Sequence, residues 1–247
     1  MFWVLFLSNM NACIDLGNTY AKLAYFEASE LKQYFKGLSE QELIENLKKV
    51  NPENIIVCSV TRSISDLTKI FEAFPHKMLL HRATPIPIVN GYGTPETLGY
   101  DRLAAAVGAY LRFPGQATLI IDMGTAIKYD YIDSQARFLG GIISPGKQMR
   151  FKALHTFTKK LPLVNADDIP ALIGTSTETC LQSGVINGII AELNGIIENY
   201  TKLGQINIIL SGGDAAQFES QLKYPTFAAP NLVLEGLNGI LNYNVEK

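Results

Sequence analysis

The apolar and polar positions of this chain fall into short elements of two periods. Ala12–Leu16 and Ala21–Phe26 read as strands joined by a tight turn at Gly17-Asn18-Thr19, and Leu31–Phe35 adds a third strand to make a meander. Ser39 opens a helix, because Glu42 completes a capping box and Leu43, Ile44 and Leu47 supply an apolar stripe. Ile55–Val60 is unbroken apolar sequence, the pattern of a strand covered on both sheet faces. A second helix covers Ser63–Phe74, with Ser63 and Asp66 at its start. Extended segments follow at Met78–Leu80 and Ile86–Val89, then a Gly-rich stretch at Asn90–Gly99 and a helix from Asp101 to Arg112.

The pattern then restarts. Thr118–Ile121 is an apolar strand ending in Asp122, and Lys128–Ile132 and Arg137–Leu139 read as the next two strands. Ser144-Pro145 reads as a helix opening, with Ser as cap and Pro in the first turn. Lys159–Ile173 is polar, contains two prolines and reads as loop. Ser176–Leu203 is a long helix, Ile206–Leu210 a buried strand ending at Ser211-Gly212-Gly213-Asp214, and Asn231–Tyr243 a closing helix.

The restart is an internal repeat. Ile14-Asp15-Leu16-Gly17, followed by Asn18-Thr19, matches Ile121-Asp122-Met123-Gly124, followed by Thr125-Ala126. A period of roughly a hundred residues is too long for a solenoid and indicates two similar domains. Two unrelated strand-to-turn junctions are the bland alternative, since Asp and Gly are common turn residues. Against it, each copy runs on into a second strand rather than a helix. The expected domains are 10–116 and 117–247. Residues 1–9, MFWVLFLSN, form an apolar leader too short to span a bilayer and without the positive start of a signal peptide; Met10 is the expected natural first residue.

Composition narrows the partners. Among 247 residues 47% are apolar and 18% charged, and the net charge is −2, which gives nucleic acid no basic surface to bind. Cys13, Cys58 and Cys180 are scattered, so neither a disulfide framework nor a cysteine zinc site is indicated.

Several segments carry candidate chemistry. In Asp15-Leu16-Gly17-Asn18-Thr19-Tyr20-Ala21-Lys22, a hairpin turn gathers backbone N–H groups, an amide and a hydroxyl at one spot. That arrangement suits polyphosphate, with Lys22 adding charge and Asp15 able to hold Mg²⁺; an ordinary hairpin with a solvated lysine is the bland reading. Asp122-Met123-Gly124-Thr125 supplies a second acidic turn. The paired glycines of Ser211–Asp214 let a flat group approach the backbone. In Gly99-Tyr100-Asp101-Arg102, Asp101 is either a helix cap or a proton acceptor, and Arg102 suits an anionic group. Gly141–Lys147 begins like a P-loop, but Gln148 stands where Ser or Thr is needed and Pro145 removes a backbone donor.

Taken in order, these segments resemble the type III pantothenate kinases, whose pattern is D-x-G-N-T-x-x-K, G-x-D-R, D-x-G-T-A, G-G-x-x-x-P-G, T-x-x-x-x-x-S-G and S-G-G-D/N. Here they stand as Asp15–Lys22, Gly99–Arg102, Asp122–Ala126, Gly140–Gly146, Thr177–Gly184 and Ser211–Asp214. The resemblance implies an α/β fold of two duplicated ribonuclease-H-like domains with ATP in a cleft between them, as in actin-like ATPases and sugar kinases. It implies a cytoplasmic homodimer that phosphorylates pantothenate at the start of coenzyme A synthesis, using ATP, Mg²⁺ and a monovalent cation (K⁺ or NH₄⁺), with no nucleic-acid or membrane partner. By the same resemblance, Asp15, Leu16, Gly17, Asn18, Thr19, Tyr20, Ala21 and Lys22 bind ATP phosphates, with Asp15 serving Mg²⁺. Thr125 touches ATP, Asp122 coordinates K⁺ and Asp101 is the general base. Tyr92, Gly99, Tyr100, Arg102 and Thr177 hold pantothenate. Thr175-Ser176 departs from the Lys-Asn usual in relatives. The competing readings are a non-catalytic accessory factor for transcription and a kinase for sugar or acetate. Intact Asp15, Lys22, Asp101, Arg102 and Asp122 argue against the first, and the G-x-D-R segment against the second.

Overall fold

The structure, a computed structural model, describes residues 10–17 and 21–245. The leader 1–9 and the turn residues Asn18, Thr19 and Tyr20 lie outside the described residues. The chain groups into two compact units. One holds the described residues of Met1–Pro114, Ala136–Phe138 and Asn231–Lys247; the other holds Gly115–Gln135 and Leu139–Pro230.

In the first unit the chain forms β1 (Met10–Leu16), β2 (Ala21–Glu27), β3 (Glu30–Leu38), α1 (Glu40–Val50), β4 (Asn54–Ser59), α2 (Ile64–Ile70), β5 (Lys77–Leu79), β6 (Val89–Asn90) and α3 (Tyr100–Arg112). The sheet order is β3-β2-β1-β4-β5; β1 runs antiparallel to β2 and parallel to β4. The meander and the α1 capping box match the sequence reading: the Glu42 backbone N–H donates to Ser39 Oγ at 3.3 Å, and the Ser39 N–H donates to Glu42 Oε2 at 2.8 Å. Helix α2 stops at Ile70, short of the expected Phe74, because the chain turns there to bring Phe71 and Phe74 into the core. That core joins Ala12, Ile14, Leu23, Tyr25, Leu43, Leu47, Val57 and Leu67.

The second unit repeats the plan with β7 (Thr118–Met123), β8 (Ala126–Ile132), β9 (Arg137–Pro145, from Leu139 onward in this unit), α4 (Lys147–Thr156), α5 (Thr177–Thr201), β10 (Asn207–Ser211), α6 (Ala215–Phe218) and β11 (Phe227–Ala228). Its strands run in the order β9-β8-β7-β10-β11, again with the central strand antiparallel to its successor and parallel to the strand that follows a helix. Two copies of one topology make this the duplicated ribonuclease-H-like fold. Helix α5 is long and apolar enough to cross a membrane, but Val185, Ile186, Ile189, Leu193 and Ile197 form a stripe buried in the second core, as a core helix requires.

Two sequence expectations fail locally. Ser144-Pro145 does not open a helix: β9 continues through Pro145, Gly146 takes the cap position and α4 starts at Lys147. The Ser144 hydroxyl is engaged by Glu192 at 3.0 Å, and the Gly146 N–H donates to Thr125 O at 3.2 Å, so both groups serve tertiary contacts. Asp101 is not the cap of α3 either. Gly99 holds that position, and Asp101 lies in the first turn.

The closing helix α7 (Leu232–Val245) packs in the first unit, not with the segment that precedes it in sequence. Small residues permit the approach. A Cβ added to Gly236 would strike the Ala104 carbonyl, and one on Gly108 would lie 2.6 Å from Leu232 O. Polar groups fix the register: Asn11 on β1 donates to Asn238 Oδ1 at 2.9 Å and to Asn242 Oδ1 at 2.7 Å, and Asn238 donates to Ala28 O at 2.7 Å.

Candidate functional site

The candidate residues of the first unit lie at the C-terminal end of β1 and the N-terminal end of α3. Alternation along β1 turns Ala12, Ile14 and Leu16 to one face and Asn11, Cys13 and Asp15 to the other. Asp15 stands opposite Lys22 across the β1–β2 ladder, with its Oδ2 3.5 Å from Lys22 Nζ. The lysine side chain is 50% exposed, so this pair is loose. Leu16 and Ala21 are buried and anchor the hairpin, Gly17 is exposed, and Asn18, Thr19 and Tyr20 lie outside the described residues.

The loop before α3 and the first turn of that helix carry the other group. Tyr92 is fixed by its backbone N–H donating to Asn90 Oδ1 at 3.1 Å. Arg102 is buried, its guanidinium carbon 5.3 Å from the Tyr92 ring centroid and 5.8 Å from that of Phe138. Stacking of this kind stabilises by about 0.5–2 kcal/mol and holds the guanidinium in place. Phe138 escaped the sequence reading; Ala136–Phe138 joins the first unit through pairing of β6 with Arg137 and Phe138. The Asp101 carboxylate folds back over Gly99, where a side chain would meet Asp101 Oδ1 at 2.5 Å. Gly99 is therefore the only residue type that leaves this carboxylate its position. Near the helix N-terminus its negative charge is also favoured by the backbone dipole.

In the second unit three segments converge on the turn after β7. Gly146 is held against it, since a Cβ there would strike the carbonyls of Gly124 and Thr125. Gly212, at φ +91°, lies against the Met123 backbone, and the Asp214 N–H donates to Met123 O at 3.1 Å. The D-x-G-T, P-G and S-G-G-D segments thus form one backbone cradle. Lys147, buried, closes it by donating to Gln217 Oε1 at 2.7 Å and lying 3.3 Å from Asp214 Oδ1. The lysine of the P-loop-like run is thereby a clamp between α4 and the Ser211–Asp214 segment. Thr125 is exposed on the turn, and Thr177 is exposed at the start of α5, where Ser176 and Thr179 form the cap.

Asp122 ends β7 as Asp15 ends β1, and it too faces a lysine. Lys128 stands opposite it in the ladder, with Nζ 2.8 Å from Asp122 Oδ2; the two side chains are 20% and 24% exposed. Lys128 escaped the sequence reading. Extending the internal repeat in register sets Lys128 against Ala21, and only the one-residue difference in turn length, seen in the ladders, brings Lys128 to the place of Lys22.

Comparison with known proteins agrees over nearly the whole chain. A family model described as type III pantothenate kinase matches residues 12–199. A type III pantothenate kinase of Cytophaga hutchinsonii is 45% identical over 96% of this chain and 100% of its own, and one of Phocaeicola vulgatus is 43% identical over 95% and 99%. Among solved structures, a Campylobacter jejuni protein described as a Baf family transcriptional activator has a TM-score of 0.64 at 20% identity, covering 96% of this chain and 100% of its own. A glucokinase from an Antarctic psychrotroph has a TM-score of 0.53 at 10% identity, covering 95% and 99%. At those identities the two structures speak for the fold alone.

Proposed function

Because this chain belongs to the type III pantothenate kinase family, we propose that it transfers the γ-phosphoryl group of ATP to the primary hydroxyl of pantothenate, the first step toward coenzyme A. The carrying observation is the length of the match to named kinases, which takes in the loop and helix bearing Asp101 and Arg102.

On this reading Asp101 accepts the hydroxyl proton. Phosphoryl transfer has a loose transition state, so the hydroxyl loses its proton late and the step asks little of its base. Tyr92, Gly99, Tyr100, Arg102 and, in the second unit, Thr177 hold pantothenate. The stacked Arg102 is suited to the substrate's carboxylate, a planar anion that a guanidinium meets bidentately. The Asp15–Lys22 segment binds the ATP phosphates, and Thr125 contacts ATP from the second unit's turn. Mg²⁺ fits Asp15: this ion is usually held by one or two carboxylates plus phosphate oxygens, and Asp15 is the carboxylate of the segment proposed to hold the phosphates. When bound, Mg²⁺ neutralises the phosphate charge. A monovalent ion at Asp122 fits less well, because Lys128 already stands against that carboxylate. The enzyme is further proposed to be a cytoplasmic homodimer, which sedimentation at twice the chain mass tests.

The test of the reaction is to offer pantothenate, acetate and glucose in parallel with ATP and Mg²⁺, following ADP release and product mass. Phosphopantothenate alone is the expected product. Phosphorylation of acetate or glucose in its place would overturn the substrate assignment.

A further inference from the structure

The two acidic hairpins differ in how closely the facing lysine approaches and how far that lysine is buried. Asp15 faces a lysine at 3.5 Å whose side chain is half exposed, whereas Asp122 faces Lys128 at 2.8 Å with both side chains about three-quarters buried. The approach of Lys128 is fixed by the backbone. It lies directly opposite Asp122 in an antiparallel ladder, where facing Cβ atoms are about 4.5–5.5 Å apart, so the lysine has little freedom to withdraw. The Asp122 side is equally fixed, since Gly146 and Gly212 press on the backbone of the turn that follows it. A free monovalent ion reaching Asp122 would have to displace an ammonium already desolvated with its partner. Removing one member of such a pair leaves the other charge uncompensated.

We propose that the Lys128 ε-ammonium takes the place of the monovalent cation at Asp122, so that this kinase works without K⁺. Both are compact single positive charges, and the lysine is delivered by the strand rather than drawn from solution. The inference rests on the proposed function in assigning a cation to Asp122, but its melting test requires no turnover.

The full chain, exchanged into tetramethylammonium buffer, is compared at equal ionic strength in tetramethylammonium, Na⁺, K⁺ and NH₄⁺ chlorides. Thermal melting and pantothenate-dependent ADP release are both recorded. Wild-type protein is expected to melt at one temperature throughout and to keep its rate within about twofold. Lys128→Thr and Lys128→Gln are expected to lose about tenfold or more in rate without K⁺, to regain it with K⁺, and to melt higher in K⁺ than in tetramethylammonium. A wild-type melting temperature and rate that rise specifically with K⁺ would overturn the proposal. So would folded Lys128 variants that gain no response to K⁺, or that lose activity K⁺ does not restore, which would mean the ammonium serves something other than a cation's place. If neither variant folds, the wild-type series decides alone. Absence of phosphorylation in every salt would count against the proposed function, while the melting series still decides the cation question.

Discussion

The hairpin β1–β2 and the hairpin β7–β8 are the same device built twice. Each runs strand, Asp, glycine turn, strand, and each sets a lysine across the ladder from the aspartate. What differs is the surroundings. In the first unit the lysine stands half exposed and 3.5 Å from its aspartate, and the proposed general base lies elsewhere, at the start of α3. In the second unit the turn is pressed by Gly146 and Gly212, Lys147 ties α4 to Asp214, and the Asp–Lys pair is tight. The two hairpins therefore share a plan, while their surroundings set how closely each lysine approaches its aspartate. The buried tyrosines on the second strand of each sheet show the same contrast. The Tyr129 hydroxyl donates to Glu192 at 2.8 Å within a network that includes Ser144 and Arg150, whereas the buried Tyr25 hydroxyl has no hydrogen-bond partner among the described residues. Burial pushes both phenols upward, and at Tyr129 the Glu192 contact adds to the shift.

The contrast can be broken most forcefully at Asp101. If the first unit carries the chemistry, Asp101→Asn should lower kcat by about 10²–10⁴-fold with a smaller change in KM for pantothenate. Stability should fall by only about 0.3–1 kcal/mol, the contribution of a charge in the first helical turn. Steady-state kinetics beside a melt check this, and near wild-type kcat would remove the base assignment. Next in size is Lys22→Met. Loss of a charged hydrogen bond to phosphate is worth about 1.5–3 kcal/mol, so kcat/KM for ATP should drop about 10–100-fold. Its melting temperature should hardly move, because a pair 3.5 Å apart with a half-exposed lysine contributes little. The mirror change, Lys128→Met, should instead cost about 1–3 kcal/mol in urea unfolding, because it breaks a 2.8 Å contact in which both side chains are mostly buried. Equal stability losses at the two lysines would erase the distinction drawn here. The finest comparison is between tyrosines. Tyr129→Phe should destabilise by about 1–2 kcal/mol, while Tyr25→Phe should be neutral or slightly stabilising, since it removes a buried hydroxyl that makes no bond. Denaturant midpoints for the two variants decide it.

Much of this was legible in the chain itself. The strands of both sheets other than the short β11, the Ser39 cap, the repeat and the Asp15, Gly99–Arg102 and Asp122 segments all depend on local pattern, and local pattern is what a sequence displays. The misses have a common physical origin. Ser144-Pro145 has the chemistry of a helix start, but Glu192, far along the chain, claims the serine, and β9 runs on. Asp101 is a good cap by type, yet the folded-back carboxylate needs the bare Cα of Gly99, so glycine takes the cap. Phe138 and Lys128 act through partners across a sheet or a stack, and neither partner is near in sequence. The packing of α7 in the first unit also escapes local pattern, because an apolar stripe states that a helix is covered, not by what.

That placement of α7 bears on how the protein is made. The helix that backs α3, and with it the turn holding Asp101, is synthesised after every segment of the second unit. At roughly 5–20 residues per second, the first unit waits on the order of ten seconds after Pro114 is synthesised before Asn231–Lys247 arrives to complete it. Through that interval the glycine and alanine face of α3 and the Asn11 side of β1 have no covering helix, a window in which a nascent chain is open to chaperones or to its neighbours. The second unit, whose segments are all synthesised before Asn231, has everything it needs first. Contrary to the usual order of domains in a nascent chain, the N-terminal half of this kinase is expected to be the one that finishes folding last.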